Sequence, residues 1–195
     1  MALTKPGGLN TIYLSVADGN LVRQHKTANQ FTVERITKTG KQVFEEFFKD
    51  LTGVITSIST RENDYGKQWQ ITFKDGEDTY IVSLGYSSRY AASFLKALPN
   101  LNLTASVRFM PWAMKDKNDL TKTITGVTLY QGDNKIAPYY TKENSNGLPQ
   151  MQKIKVKGKE QWDDSEMMAF LEEMATSIFT SITATEDEDG DAAPF

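Results

Sequence analysis

Apolar and polar positions alternate through most of the first two thirds of the chain, which predicts a mainly β protein. The runs Thr11-Ile12-Tyr13-Leu14-Ser15-Val16 and Leu21-Val22-Arg23-Gln24 flank Asp18-Gly19, the pattern of a β-hairpin with a tight turn. Phe31 to Ile36 reads as a third strand. Val43 to Phe48 fits a short helix as well as a strand, and its periodicity leaves both open.

From Leu51 onward the pattern is more decisive. Leu51 to Thr60 is rich in Thr, Ile and Val, and a polar loop at Arg61 to Gly66 separates it from Lys67 to Lys74. That second run alternates strictly, with Trp69, Ile71 and Phe73 on one side and Gln68, Gln70, Thr72 and Lys74 on the other, as in a half-buried strand. Trp69 thus reads as a core residue. Asp75-Gly76 turns the chain into a further strand, Thr79 to Leu84. In Ser88 to Pro99, Ala91, Phe94, Leu95 and Leu98 recur at helical spacing behind a Ser cap and before a Pro stop. Two more strands follow, Ala105 to Met114 and Thr123 to Tyr130, joined by the polar Lys115 to Asp119.

The resulting order, β-β-β-α-β-β, predicts a five-stranded OB-fold barrel over residues 51–140 with a helix between its third and fourth strands. An SH3-like barrel would not need the helix. Residues 1–50 are expected to form an N-terminal β extension packed on the barrel. Residues 141–160 form a basic connecting arm in which Lys153, Lys155, Lys157 and Lys159 fall on alternate positions. In extended chain they would either line up positive charge for phosphates or protect an exposed strand edge. Residues 161–182 predict a C-terminal helix that opens on Asp163-Asp164-Ser165-Glu166, with acids at the positive end of its dipole. Its stripe of Met167, Met168, Phe170, Leu171, Met174, Ile178, Phe179 and Ile182 can pack on the barrel or serve as a homodimer or partner surface. Residues 183–195 lack core-forming side chains and predict a disordered acidic tail.

Charge changes this picture, because the net value of −3 conceals a division. All 22 Lys and Arg lie at or before Lys159, against 14 Asp and Glu there, a net of +8; from Glu160 to the end there are 11 acids and no Lys or Arg. A basic body with an acidic end can bind a polyanion with one part while the other folds back or recruits a partner, although such a tail can also serve solubility alone. Cysteine is absent and His25 is the single histidine, so thiolate or histidine metal sites and Ser-His or Cys-His catalysis have no basis. There is no Walker-type or dinucleotide-binding glycine motif. No enzyme activity, cofactor or metal is expected. The beginning of the chain lacks the order of a signal peptide, and no run of about 18 apolar residues occurs, so the expectation is a soluble cytoplasmic protein without membrane contact.

Single-stranded nucleic acid calls for aromatic rings to stack on bases, interleaved with cations for phosphates. The candidates are Tyr86, Arg89, Tyr90, Arg108, Trp112, Tyr130 and Tyr139, with Lys67, Lys74, Lys115, Lys117 and Lys122 as loop or outward charges. Arg108 and Trp112 lie opposite Val107 and Phe109 in their strand, which points them outward.

The last residues, Asp187-Glu188-Asp189-Gly190-Asp191-Ala192-Ala193-Pro194-Phe195, resemble the C-terminal peptide of bacterial single-stranded-DNA-binding proteins, which ends in acids followed by Pro-Phe. The whole layout, an OB barrel, a helix and an acidic tail, resembles the replication single-stranded-DNA-binding proteins of tailed bacteriophages. The resemblance implies sequence-nonspecific binding and protection of single-stranded DNA in replication, recombination or repair. It also implies that Asp187, Glu188, Asp189, Asp191, Pro194 and Phe195 recruit replication or recombination proteins and compete with DNA. An apolar helix stands where bacterial members carry a long polar linker. An RNA-binding OB module and a protein-interaction adaptor are the rival readings.

Overall fold

The structure is a computed structural model that describes residues 10–37, 39–64, 66–156 and 158–188; for Val156 and residues 181–188 it describes the backbone alone. The strands are β1 (Asn10–Ala17), β2 (Asn20–His25), β3 (Val33–Ile36), β4 (Gln42–Phe48), β5 (Leu51–Asn63), β6 (Gly66–Asp75), β7 (Asp78–Gly85), β8 (Val107–Lys115), β9 (Thr123–Gln131), β10 (Asn134–Lys135), β11 (Gln152–Val156) and β12 (Lys159–Asp163). The helices are α1 (Arg89–Ala97), continued by a 3-10 turn at Leu98–Asn100, and α2 (Ser165–Glu188).

The order β5-β6-β7-α1-β8-β9 is the one the periodicity predicts. Its closure is not. Ten strands form one sheet in the order β10-β9-β8-β5-β6-β7-β1-β2-β4-β3, and this order does not return on itself, so the expected five-stranded barrel is corrected to a larger, open sheet. The cause is the N-terminal segment, which is part of the sheet rather than an extension laid on it. β1 pairs in parallel with β7, from Asn10 opposite Asp78 to Ser15 opposite Ser83, and β2, β4 and β3 continue from it. The ambiguous segment at Val43 to Phe48 is thereby a strand, held between β2 and β3.

The sheet curls strongly enough to bring the β1–β2 turn against β8. Asp18 and Gly19 both have positive φ, 49° and 75°, as a two-residue hairpin turn of the primed type requires. A Cβ on Gly19 would lie 2.4 Å from the Ala113 backbone nitrogen, so only glycine permits this approach. The Gly19 N–H donates to the Tyr90 hydroxyl at 2.9 Å, tying the turn to α1 as well. The hairpin thus spans from β7 to β8 without a hydrogen-bonded ladder on its far side.

One apolar core fills the concave side. Ile12, Leu14 and Leu21 join Ile55, Ile71, Phe73, Val82, Val107, Phe109 and Leu129 there, beneath Phe94 and Leu95 of α1. Trp69 is 2% exposed, in agreement with its alternation. α1 begins where the sequence places it, with the Ser88 hydroxyl accepting from Ala91 N–H. α2 closes the same core with Met167, Met168, Leu171 and Ala175, all buried. Phe170, Met174, Ile178 and Phe179 are partly buried against the same core, so the stripe packs on the sheet, the first of its two expected uses.

Two boundaries also move. The connecting arm and the first predicted residues of the C-terminal helix form a hairpin, β11–β12, so α2 begins at Ser165, where Asp163 Oδ1 accepts from the Ser165 N–H and hydroxyl. At the other end α2 continues to Glu188, so residues 183–188 are helical instead of part of a disordered tail. Asp189 to Phe195 lie outside the described residues, as do four of the expected tail contacts, Asp189, Asp191, Pro194 and Phe195. Among the described residues no helix is long and apolar enough to cross a membrane.

Candidate nucleic-acid interface

The convex faces of β8 and β9 carry the strongest concentration of predicted side chains. Val107 and Phe109 point into the core, so Arg108, Met110, Trp112 and Met114 point out, and antiparallel register sets each beside a partner on β9. Arg108 lies opposite Tyr130 with its guanidinium carbon 4.4 Å from the ring centroid, a cation–π pair on an exposed surface. Two rows along, Trp112 lies opposite Gly126. A Cβ at Gly126 would come within 2.5 Å of the indole Cζ2, so the missing side chain is what lets the ring lie across the neighbouring strand.

Met110 and Met114 flank the indole, opposite Thr128 and Ile124, and Met114 is 53% exposed. Sequence reasoning did not select these methionines. The alternation that turned Arg108 and Trp112 outward contains the signal for them too. Met110 and Trp112 are half-buried, and a polarizable apolar surface around an outward tryptophan commonly marks a contact site.

The loop that joins the two strands continues this surface. It is held by its own aspartates: Asp116 Oδ1 accepts from Asn118 N–H at 2.8 Å, and Asp119 Oδ1 accepts from both the N–H and the hydroxyl of Thr121. The Thr121 hydrogen bond, then Lys122, holds the Asp119 carboxyl below the usual carboxylate range. Lys122 pairs with Asp119 at 2.9 Å yet stays largely exposed, and Lys115 reaches Thr123 Oγ1 at 3.4 Å. Such exposed contacts contribute little stability and exchange easily for a phosphate. Lys117 is exposed and has no ion pair among the described residues. Lys74 also projects from the convex side, on β6, beyond the stretch of β5 that carries Thr52 and Val54 between it and Arg108. Arg108, Trp112, Tyr130 and Lys74 thus share one face, with Lys117 and Lys122 in the loop at its end, while Lys115, at the parity of Val107 and Phe109, projects from the other face of β8.

The other predicted residues lie elsewhere. Tyr86 stacks on Trp69, with centroids 5.6 Å apart and planes 3° from parallel, and its hydroxyl donates to Glu172 of α2 at 2.6 Å. Lys67 pairs with the same carboxylate at 2.6 Å and lies over the Tyr86 ring; Thr60 donates to it at 2.9 Å. Burial pushes the Glu172 carboxyl up, but Lys67, Tyr86 and Thr60 together hold it below its ordinary value. Burial, and then Glu172, push the Tyr86 hydroxyl well above the usual phenol range. Lys67 and Tyr86 therefore fasten α2. No sequence signal distinguishes this use from a ligand contact, because the partner lies about a hundred residues away, a separation of 105 residues for Lys67.

Tyr90 is committed to Gly19. Arg89 points into a groove beside α1, with Nη1 3.4 Å from the Thr123 carbonyl oxygen. Tyr139 is 41% exposed and stands edge-on to the buried Tyr140, in the segment that follows β10. Asp187 and Glu188 belong to the last turn of α2. No group of three or more metal-ligating side chains occurs among the described residues.

Comparison with known proteins returns no matching family model, no matching curated protein and no matching solved structure.

Proposed function

We propose that the chain binds single-stranded DNA without sequence preference through the convex face of β8–β9 and the lysine-bearing loop between them. The observation that carries the reading is the juxtaposition of Arg108 over Tyr130 with Trp112 over Gly126 on one open sheet face. Flat rings supply stacking for bases of any identity, and Arg108, Lys117 and Lys122 supply phosphate contacts that carry no sequence information. The β-β-β-α-β-β order and the antiparallel pairing of β5 with β8 support an OB-type ancestry, with the β1–β2 hairpin filling the gap between β7 and β8.

The acidic end, from Glu186 to Phe195, is the second part of the proposal. It competes with DNA for the cations of the body, and its terminal Phe195 and carboxylate recruit replication or recombination proteins, as the resemblance to bacterial single-stranded-DNA-binding proteins implies. The supporting observation is the segregation of charge, with no Lys or Arg after Lys159.

Binding of fluorescent oligo-dT by Trp112→Ala and Arg108→Ala tests the interface. Loss of one stacking platform weakens binding by about 1–3 kcal/mol. Loss of one phosphate contact lowers the slope of log affinity against log salt by about 0.7. Unchanged affinity and slope in both variants would overturn the assignment.

A further inference from the structure

A second surface of the same chemical type stands on the other side of α1. The β11–β12 register places Lys153 opposite Trp162 and Lys155 opposite Glu160, so Lys153, Lys155 and Trp162 share one face of that hairpin. Trp162 is 60% exposed, with the Lys153 ammonium 5.4 Å from its ring centroid. Between this hairpin and α1 runs a groove of about 580 Å³ whose lining includes Trp162, Met151, Met167, Arg89 and Lys96.

Lys96 is the unusual member. It faces the groove from α1, two turns after Arg89, a rise of about 10 Å. It is half-buried, and burial alone lowers its pKa from the ordinary lysine value. Among the described residues its ammonium has no ion pair, and it is not shut away from solvent. Desolvating a cation without supplying a counter-charge is costly, so an accessible one of this kind gains from an anion placed beside it. One carboxylate, Asp164, also lines the groove, its Oδ1 accepting from the Ser87 hydroxyl; Glu166 accepts from Gln152, and Glu160 lies 3.6 Å from Lys153.

We propose that this groove is a further single-stranded-DNA subsite, in which Trp162 stacks on a base while Lys96 and Arg89 hold the adjoining phosphates. The proposal rests on the β8–β9 reading, and Arg89 connects the two surfaces because it reaches the Thr123 carbonyl at the start of β9. A strand leaving the loop at Lys122 would then pass Arg89 and enter the groove, so long oligonucleotides use both surfaces and short ones the first alone.

The groove's alternative occupant is an acidic C-terminal segment. α2 starts beside the groove at Met167, and Glu188 lies about 30 Å further along the helix.

The test is a length series of oligo-dT, from a few nucleotides to about thirty, bound by the full chain and its Trp162→Ala, Lys96→Gln and Trp112→Ala forms, with a synthetic peptide of residues 184–195 as competitor. Trp162→Ala and Lys96→Gln are expected to lose about tenfold in affinity for long oligonucleotides and almost nothing for short ones, whereas Trp112→Ala loses at every length. Equal binding by the groove variants and the unaltered chain at all lengths overturns the subsite and leaves the β8–β9 face standing. Undiminished binding by Trp112→Ala overturns the primary reading instead. Unchanged DNA binding combined with lost peptide binding in Trp162→Ala and Lys96→Gln also overturns the proposal, assigning the groove to an acidic C-terminal segment.

Discussion

Trp112 lies across Gly126 so closely that a single added carbon at the glycine would sit 2.5 Å from the indole. The two residues face each other in the β8–β9 register, and the flatness of the platform depends on both. Gly126→Val is therefore expected to push the ring off the sheet and weaken oligo-dT binding about as much as Trp112→Ala does, while circular dichroism stays β-like. Tryptophan emission should shift to the red as the ring enters water. Binding equal to that of the unaltered chain would show that the flat pose is irrelevant.

Glu172 gathers Lys67, Tyr86 and Thr60 on one carboxylate and so joins α2 to β5, β6 and the end of β7. Glu172→Ala leaves a half-buried Tyr86 hydroxyl without its acceptor. The expected loss is about 1–3 kcal/mol for charge-assisted hydrogen bonds, at the lower end because Lys67 and Glu172 both keep contact with water. Urea unfolding measures it. Short oligo-dT should bind Glu172→Ala as before, since neither Lys67 nor Tyr86 belongs to the β8–β9 surface.

The same site sets a direction for acid sensitivity. The Glu172 carboxyl is held below its unfolded value, so its contribution is fully present above about pH 4.5 and is lost as pH falls through its folded-state pKa. Glu172→Gln should flatten the fall of stability on the acid side. A thermal melt series from pH 7 down to pH 3 checks this, and an unaltered acid profile would contradict it.

A second carboxylate behaves likewise in the outer strands. Glu45 on β4 is 5% exposed and receives Nε of Arg35 at 2.8 Å and Nη2 at 2.5 Å, the forked geometry of an arginine–carboxylate pair. Chiefly through Arg35, the Glu45 carboxyl is held down, so the pair stabilises the β3–β4 ribbon above the ordinary glutamate range and releases it as pH falls. Arg35→Met should leave the acid buried and unpaired and speed amide exchange across β3 and β4 far more than across β6. Equal acceleration of exchange in β3–β4 and in β6 would contradict a local role.

Much of the β architecture was legible because strands announce themselves locally. The alternation of Trp69, Ile71 and Phe73 gave both the strand and its buried face, and the Ser88 cap with the i, i+3, i+4, i+7 apolar set gave α1. Outward Arg108 and Trp112 followed from the same parity. What alternation cannot give is the partner of each edge. Nothing local at Thr11 to Ser15 says that it pairs in parallel with β7, so an expected appendage proved to be the strand that keeps the sheet from closing as a small barrel. The contacts of Tyr86 and Lys67 with Glu172 were hidden for a related reason: an aromatic beside a cation has the same composition whether it waits for DNA or receives a distant glutamate. Trp162 was overlooked because the register that sets it beside Lys153 exists only once Gly158 turns the hairpin.

The central claim is most directly tested by a salt titration of fluorescent oligo-dT binding to the full chain and to a chain ending at Thr183. The account predicts that both bind, that affinity falls linearly with salt on logarithmic axes, and that the shortened chain binds more tightly at every salt concentration because the competing acids are gone. Absence of binding by either chain at low salt would contradict it.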